Sequence, residues 1–203
     1  LKLECLQMGG SFKVRGATNK ILSEQDSIRP AGVIAASAGN HAQGVAVAAR
    51  TAGIPATIIM PEWVSLSKQE ATVGYGARVI LNGKSLEESI VYAMDMARDE
   101  DMIFIHPYDD DAVIAGQGTI GLEIMDDCPE VDLIVVPVGG GGLIAGIAVA
   151  VHSTRPEVRI TGVQAAACPS APAARREGRP VTVEARPTIA DGIRVKRTGT
   201  HAF

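Results

Sequence analysis

The chain has 203 residues, a formal net charge of −4, 46% hydrophobic residues and only 3% aromatic residues. Its length allows one large domain or two small ones. An aliphatic, alanine-rich composition with 22 glycines is typical of helices packed closely on a parallel sheet. The acidic balance argues against nucleic acid or an anionic membrane surface as a partner, and no apolar run reaches the length of a bilayer span.

The cysteines and histidines indicate neither disulfides nor a metal centre. The three cysteines, Cys5, Cys128 and Cys168, form no C-x-x-C pair and are odd in number. This usage predicts reduced thiols in a cytoplasmic protein. The four histidines are scattered and lack the spacing of metal ligands, so we expect no metal ion.

Predicted strands and helices alternate along the chain, which begins with a strand-like alternation, LKLECL. Further strands are predicted at 32–37, 56–61, 77–82, 102–107, 131–138 and 158–165. Helices are predicted at 41–51, after a capping box of Ser67 and Glu70, from a second box of Ser85 and Glu88 to about residue 99, at 110–125 and up to residue 152. This order is the βαβ pattern of a parallel sheet covered by helices on both faces.

The ends of the chain and one late segment break this pattern. The stretch 168–180, CPSAPAARREGRP, has three prolines and a charge cluster, and we predict a surface connection there. The chain starts at Leu1 without a methionine and stops at TGTHAF without a terminal helix. We therefore expect a fragment of a longer protein, trimmed at both ends.

Three unusual loops each follow a predicted strand and lead into a helix. They are GGSFKVRGA at 9–17, SAGNHAQG at 37–44 and GGGGLIAG at 139–146. In an open α/β sheet, ligands bind outside the carboxyl ends of the strands. If the sheet is parallel throughout, the three loops share that side.

The run GGGGL suits an anion. Consecutive glycines leave backbone N–H groups uncovered, and the following helix N-terminus adds partial positive charge, which together favour a phosphate. No Gly-Lys-Ser/Thr follows, so the run is not a Walker A motif. Gly140, Gly142 and Ala145 also fit G-x-G-x-x-[GA], but the acidic residue expected about 20 positions later is replaced by Gln164. A dinucleotide site and a simple packing turn both remain open.

The loop SAGNHAQG suits a carboxylate. Ala38 and Gly39 are small enough for a ligand to reach free N–H groups of the backbone. Simple capping of the next helix by Ser37 and Asn40 explains the loop as well. We expect His41 to be a packed or capping residue and not a base.

Lys13 completes a set of three chemical functions. A lysine that is partly dehydrated near helix N-termini has its charged form disfavoured and becomes a usable amine nucleophile near neutral pH. A phosphate site, a carboxylate site and a reactive amine together indicate pyridoxal 5′-phosphate with an amino-acid substrate.

These motifs resemble the threonine dehydratase group of the fold type II pyridoxal-phosphate enzymes, along essentially the whole chain. SFKVRGA is similar to the segment with the Schiff-base lysine, which implies this role for Lys13 and a place beside the ring for Phe12. The resemblance of SAGNHAQG implies contact between Asn40 and the 3′-oxygen of the cofactor. It also implies that the substrate carboxylate is bound by Ser37, Ala38, Gly39, Asn40 and His41. The resemblance of GGGGL implies a phosphate cradle of Gly139, Gly140, Gly141, Gly142 and Leu143. GQGTIGLEI at 116–124 and TIADG at 188–192 are also similar to segments of this group.

Single positions distinguish this chain from two other groups of the same enzyme family. Cysteine synthases have an aspartate after the lysine, where this chain has Val14. Serine racemases resemble this chain closely but carry a second serine, SSGNH, which acts on the opposite face of the substrate and is Ala38 here. The acidic cation-binding positions of the racemases fall at Gln164 and Ser170, so the resemblance implies no metal ligands.

The resemblance implies a tryptophan synthase beta-like α/β fold. Its expected domains are a small one at 35–111 and an incomplete large one at 1–34 and 112–203. The implied activity is conversion of L-threonine to 2-oxobutyrate and ammonia, and of L-serine to pyruvate, in a cytoplasmic homo-oligomer. Serine racemase, a serine-specific dehydratase and a non-catalytic dinucleotide- or phosphate-binding module are the alternatives. The residue that contacts the pyridine nitrogen is expected beyond TIADG, so we expect the 203-residue chain alone to bind the cofactor poorly.

Overall fold

The computed structural model describes all 203 residues, which form seven α-helices and six β-strands in two compact units. One unit consists of Leu1 and Leu3–Pro107, and the other of Lys2 and Tyr108–Phe203. The expected division into 35–111 and 1–34 with 112–203 stays a prediction.

The helices are α1 (Lys13–Ser23), α2 (Asn40–Ala52), α3 (Leu66–Gly74), α4 (Leu86–Asp99), α5 (Asp111–Asp127), α6 (Gly142–His152) and α7 (Ser170–Glu177). The strands are β1 (Val33–Ala36), β2 (Ala56–Met60), β3 (Arg78–Leu81), β4 (Ile103–Phe104), β5 (Leu133–Pro137) and β6 (Arg159–Val163). None of the helices combines the length and the hydropathy that crossing a bilayer requires.

The first unit is built on a four-stranded parallel sheet with the order β3-β2-β1-β4. Val33 of β1 pairs with Ala56 of β2 on one side and with Ile103 of β4 on the other. All residues of β1 and β2 are buried, as expected for parallel strands that are covered on both faces. The prediction of an α/β fold with parallel strands is confirmed.

Helices cover this sheet from both sides. Ile34, Ala36 and Ile59 form a buried cluster with Ala93 and Ala97 of α4. Because side chains alternate along a strand, Val33 and Ala35 of β1 and Ile58 of β2 face away from α4, and α2 packs on these two strands. A loop of three residues connects the carboxyl end of β1, in this buried layer, to α2.

The second unit contains a two-stranded parallel sheet and the closely packed helices α5 and α6. The pairing of β5 with β6 runs from Leu133 with Arg159 to Pro137 with Val163. Glycines bring the two helices together, since a Cβ atom on Gly118 would lie 2.8 Å from Gly146 O. This contact fixes α6, which follows the glycine run of the sequence.

Two helix starts test the predicted capping boxes. Ser85 is the N-cap of α4, and its Oγ accepts a hydrogen bond from Glu88 N at 3.1 Å, as predicted. The box of Ser67 and Glu70 is wrong, because α3 begins at Leu66 after the N-cap Ser65. The Ser65 and Ser67 hydroxyls bond to each other at 3.1 Å, and Ser65 makes no capping bond from its side chain.

Two further predictions are wrong for tertiary reasons. The opening LKLECL is not a strand: Glu4–Leu6 forms a 3-10 helix, and Glu4 makes a two-bonded ion pair with Arg15 at 2.8 and 2.9 Å. The stretch 168–180 is not a surface connection, because it contains α7, whose Ala173 and Ala174 are buried. Alternation and proline content are local signals, and neither reports these contacts.

Replacing Gly146 with alanine tests the contact between α5 and α6. The new Cβ would meet Ile114 O and lie 2.8 Å from Gly118 N, both backbone atoms that cannot rotate away. We expect Gly146→Ala to lower the free energy of unfolding in urea by about 1–3 kcal/mol, the usual cost of overpacking. Gly192→Ala is the control, since its Cβ would meet nothing within 4 Å. Equal stability of the two variants would contradict the close contact.

Candidate active site

Lys13 is the first residue of α1, and its position depends on a glycine of α2. A Cβ atom on Gly44 would lie 2.9 Å from Lys13 C, Lys13 Cβ and Val14 N. Only a residue without a side chain allows α1 to begin so close to α2. Gly44 therefore allows the backbone of Lys13 to pack against α2, the helix that follows β1.

Lys13 is partly buried, and its amine has no acidic partner. Its Nζ donates a hydrogen bond to Pro107 O at 2.5 Å and lies 5.3 Å from the centroid of the Phe12 ring. Burial lowers the pKa of Lys13 from 10.5 to about 8, because dehydration disfavours the charged form. A carbonyl and an aromatic face accept the ammonium group without the full charge compensation of a carboxylate. With a pKa of about 8, about one tenth of the amine is uncharged at pH 7.

His41 is a buried, neutral neighbour of this amine. Its Nε2 lies 2.9 Å from Ile105 O, which can only accept, so Nε2 carries the proton. Burial, followed by the positive charge of Lys13, lowers the pKa of His41 to about 3. The Nδ1 atom is left with a lone pair and no hydrogen-bond partner. These contacts agree with the prediction of a packed histidine.

The loop between β1 and α2 leaves three backbone N–H groups without a protein acceptor. Ser37 Oγ accepts from Gly39 N at 3.1 Å, which folds the loop on itself. The N-cap of α2 is Gly39, so no side chain at that position caps the helix. Capping by Ser37 or Asn40 therefore does not explain the motif. The backbone N–H groups of Ala38, Asn40 and His41 donate to no protein acceptor. An open row of donors at a helix N-terminus suits a carboxylate.

The glycine run lies in the second unit, between β5 and α6. Each glycine has a reason within the protein. A Cβ on Gly140 would meet the Tyr108 ring, one on Gly142 would lie 2.6 Å from Tyr108 O, and one on Gly139 would lie 3.2 Å from Val195 Cγ2. Gly141 has a φ of +101°, in the region that favours glycine. Close packing therefore accounts for the four glycines without a ligand.

Packing does not explain why the backbone N–H groups of the glycine run have no acceptor in the protein. Between Val138, whose N–H bonds to Val163 O, and Ala145, whose N–H bonds to Gly141 O, no backbone N–H donates to a protein acceptor. The free N–H groups include those of Gly139–Gly142 and Leu143. They lie at the N-terminus of α6, which is the positive end of the helix dipole. This cradle fits the oxygen atoms of a phosphate.

The structure gives three residues supporting roles that the motifs did not indicate. Gly44 seats Lys13, Tyr108 packs against the glycine run, and Gln164 bonds to the carbonyl groups that enter it. Gly44 ends the motif SAGNHAQG and lies inside the helical pattern of 41–51, but neither signal indicates its contact with Lys13. Tyr108 and Gln164 act through contacts that are distant in sequence.

A family model described as pyridoxal-phosphate dependent enzyme matches residues 1–203. L-threonine ammonia-lyase of Thermotoga maritima is 54% identical over 203 residues, which cover 100% of this chain and 51% of that protein. The chain thus spans about half the length of this curated relative.

Two solved structures are similar in fold. The processed form of threonine deaminase isoform 2 from Solanum lycopersicum has a TM-score of 0.94 at 38% identity, over 99% of this chain and 55% of that one. Maize serine racemase has a TM-score of 0.93 at 37% identity, over 98% of this chain and 60% of that one.

The lowered pKa of Lys13 predicts an unusual reactivity profile. With a pKa of about 8, the uncharged fraction rises from about one tenth at pH 7 to about nine tenths at pH 9. We expect trace acetylation of Lys13 in the cofactor-free protein, read by peptide mapping, to follow that curve. A midpoint near 10.5, the ordinary value, would contradict the dehydrated environment.

Gly44→Ala tests the seat of Lys13. The added methyl group would push on backbone atoms of Lys13 and Val14, so we expect a loss of about 1–3 kcal/mol in stability and slower acetylation of Lys13 at pH 8. Gly74→Ala in α3 is the matched control, because a Cβ there meets nothing within 4 Å. Unchanged Lys13 reactivity in Gly44→Ala would show that the close approach does not set the environment of the amine.

Proposed function

Because this chain belongs to the pyridoxal-phosphate-dependent enzyme family, we propose that the protein that carries it is an L-threonine ammonia-lyase. It converts L-threonine to 2-oxobutyrate and ammonia, and L-serine to pyruvate. The observation that carries the proposal is Lys13, an amine with a pKa of about 8 and no acidic partner. The 54% identity with the ammonia-lyase of Thermotoga maritima supports the substrate.

The cofactor would be held at both of its ends by groups of this chain. The free N–H groups of Gly139–Gly142 and Leu143 would bind its phosphate, with the α6 dipole adding positive potential. Lys13 would hold its aldehyde carbon, Phe12 would lie beside its ring and Asn40 would contact its 3′-oxygen. When bound, pyridoxal phosphate supplies an electron sink for the negative charge that develops at the substrate Cα.

Lys13 has two tasks in this scheme. Its uncharged Nζ would bind the aldehyde carbon of the cofactor. With the substrate in the site, the same Nζ would take the proton from the substrate Cα as general base. Both tasks need a neutral amine at physiological pH, which the lowered pKa of about 8 supports. The nearby His41 remains uncharged and leaves the proton transfer to Lys13, since its pKa is lowered to about 3.

The loop after β1 would orient the substrate. The free N–H groups of Ala38, Asn40 and His41 suit a carboxylate, and Ser37 stabilises the loop through its bond to Gly39 N. A carboxylate fixed at this helix N-terminus would hold the Cα–H bond in one direction relative to Nζ. Loss of water from the substrate then follows removal of the Cα proton.

Serine racemase is the second candidate, because maize serine racemase has a TM-score of 0.93 with this chain. Racemisation needs a second acid–base group on the opposite substrate face, and the methyl group of Ala38 cannot exchange a proton. Comparing threonine and serine turnover and assaying D-serine separates ammonia-lyase, serine-specific dehydratase and racemase.

A dinucleotide site is less well supported. Gln164 stands where an acidic residue would bind the ribose, and its Nε2 is engaged by Val138 O and Gly139 O at 3.2 and 3.3 Å. Its Oε1 accepts from Ala171 N at 2.8 Å. A side chain so engaged favours a structural role at this position.

We also propose a cytoplasmic homo-oligomer as the working form. The three free cysteines are in keeping with a reducing compartment. Size-exclusion chromatography with light scattering measures the number of subunits.

Lys13→Ala tests the chemistry. In a holoenzyme that contains this chain, we expect threonine deamination to fall by roughly 10²- to 10⁴-fold, the range for loss of a positioned general base. Lys20→Ala, on the same helix, is the control, because Lys20 pairs with Glu24 and lies about two turns away. Undiminished deamination by Lys13→Ala would overturn the scheme.

Borohydride reduction of the holoenzyme, followed by peptide mapping, identifies the attached lysine directly. A pyridoxyl label on Lys13 is the expected result. A folded holoenzyme that carries its label on another lysine would remove Lys13 from the proposal while leaving the family assignment intact.

A further inference from the structure

Gln164 is the first residue after β6, and its side chain reaches the start of the glycine run. Its Nε2 donates to Val138 O at 3.2 Å and to Gly139 O at 3.3 Å. These two carbonyl groups belong to the residues that connect β5 to the segment with free backbone N–H groups. One amide thus fixes two consecutive peptide units at the entrance of the phosphate cradle.

The other end of the same amide holds α7. Gln164 Oε1 accepts from Ala171 N at 2.8 Å, in the first turn of α7. The N-cap of that helix is Pro169, which makes no capping bond from its side chain. Gln164 therefore caps α7 from a different segment and ties the helix to the glycine run.

Ser170 extends this link to a third segment. Its Oγ donates to Val195 O at 2.7 Å, so it accepts from Gln164 Nε2 at 3.1 Å through a lone pair. Ser170 is fully buried. Val195 in turn packs on Gly139, since a Cβ there would lie 3.2 Å from Val195 Cγ2.

These bonds allow only one orientation of the amide. Nε2 faces three oxygen atoms, and Oε1 faces an N–H group. A carboxylate of the same shape would set an oxygen against three oxygens, which is repulsive without a proton or a cation. The site is therefore specific for an amide and not merely for the volume of the side chain.

A run of four glycines needs such an external anchor. Glycine has the largest backbone freedom of all residues, so ordering the backbone of this run costs more than ordering that of a tetrapeptide with side chains. A phosphate gains from the N–H groups only if they are already fixed in direction. The anchor at the first two carbonyl groups reduces the freedom of the peptide units that follow.

We propose that Gln164 is a positioning residue for the cofactor phosphate. Its amide fixes Val138, Gly139 and the first turn of α7 in one arrangement, and this arrangement directs the free N–H groups at the phosphate. This inference rests on the proposed function, because it takes the glycine run to be the phosphate site. It assigns to Gln164 an effect on phosphate affinity and none on the covalent chemistry at Lys13.

The test compares pyridoxal phosphate with pyridoxal, which has the same aldehyde and no phosphate. In the holoenzyme that contains this chain, the variants Gln164→Met and Gln164→Glu are stripped of cofactor and titrated with each compound, with the visible absorbance of the lysine adduct as readout. We expect Gln164→Met to weaken pyridoxal phosphate binding by about tenfold, the effect of about one net hydrogen bond. Binding of pyridoxal should stay unchanged.

The order of the two variants is a second readout. We expect Gln164→Glu to bind pyridoxal phosphate more weakly than Gln164→Met, although glutamate matches glutamine in shape. A side chain that only fills space would give the opposite order. Gln69→Met is the matched control, because Gln69 Nε2 also donates to a backbone carbonyl, that of Val64 at 2.8 Å, in the first unit.

Three results would overturn the inference. They are wild-type affinity for pyridoxal phosphate in both variants, an equal loss for pyridoxal phosphate and pyridoxal, and a Gln164→Glu variant that binds like the wild type. If Gln164→Met does not fold, Gln164→Asn keeps the amide one methylene short and should show the same selective loss. A wild-type protein that forms no adduct with either compound would instead contradict the proposed function.

Discussion

The site depends on an amine that is partly buried and has no opposite charge beside it. Lys13 Nζ bonds to Pro107 O, a neutral acceptor, and dehydration is the cause of its lowered pKa. A carboxylate in the place of that carbonyl would favour the ammonium form and remove the nucleophile. The rest of the first unit maintains this condition: Gly44 admits the start of α1, and the carboxyl end of the buried strand β1 supplies the loop that would face the substrate.

Much of the fold was predictable because its signals are local. Continuous apolar runs marked β1, β2 and β5, and Ser85 marked the start of α4 through a bond to its own first turn. The errors arose where the partner is distant. LKLECL alternates like a strand but has no strand to pair with, and Glu4 bonds instead to Arg15. The helix α7 starts after a proline, and its cap comes from Gln164, which no local pattern indicates.

The candidate site divides in the same way. Lys13, the asparagine loop and the glycine run were visible as motifs because short stretches of backbone carry their chemistry. The residues that support them were not, because Tyr108 and Gln164 meet the glycine run only through the fold. The structure also changed one interpretation. Asn40 and Ser37 do not cap α2 with their side chains, and the N–H groups of that loop are left open.

The contact between Gly140 and Tyr108 has an evolutionary consequence. The Tyr108 ring occupies the space that any side chain at position 140 would need. A larger residue at position 140 therefore requires a smaller one at position 108. Among related sequences, we expect a residue larger than glycine at position 140 only where position 108 is small. A glycine kept at position 140 would then reflect the Tyr108 ring as well as any ligand.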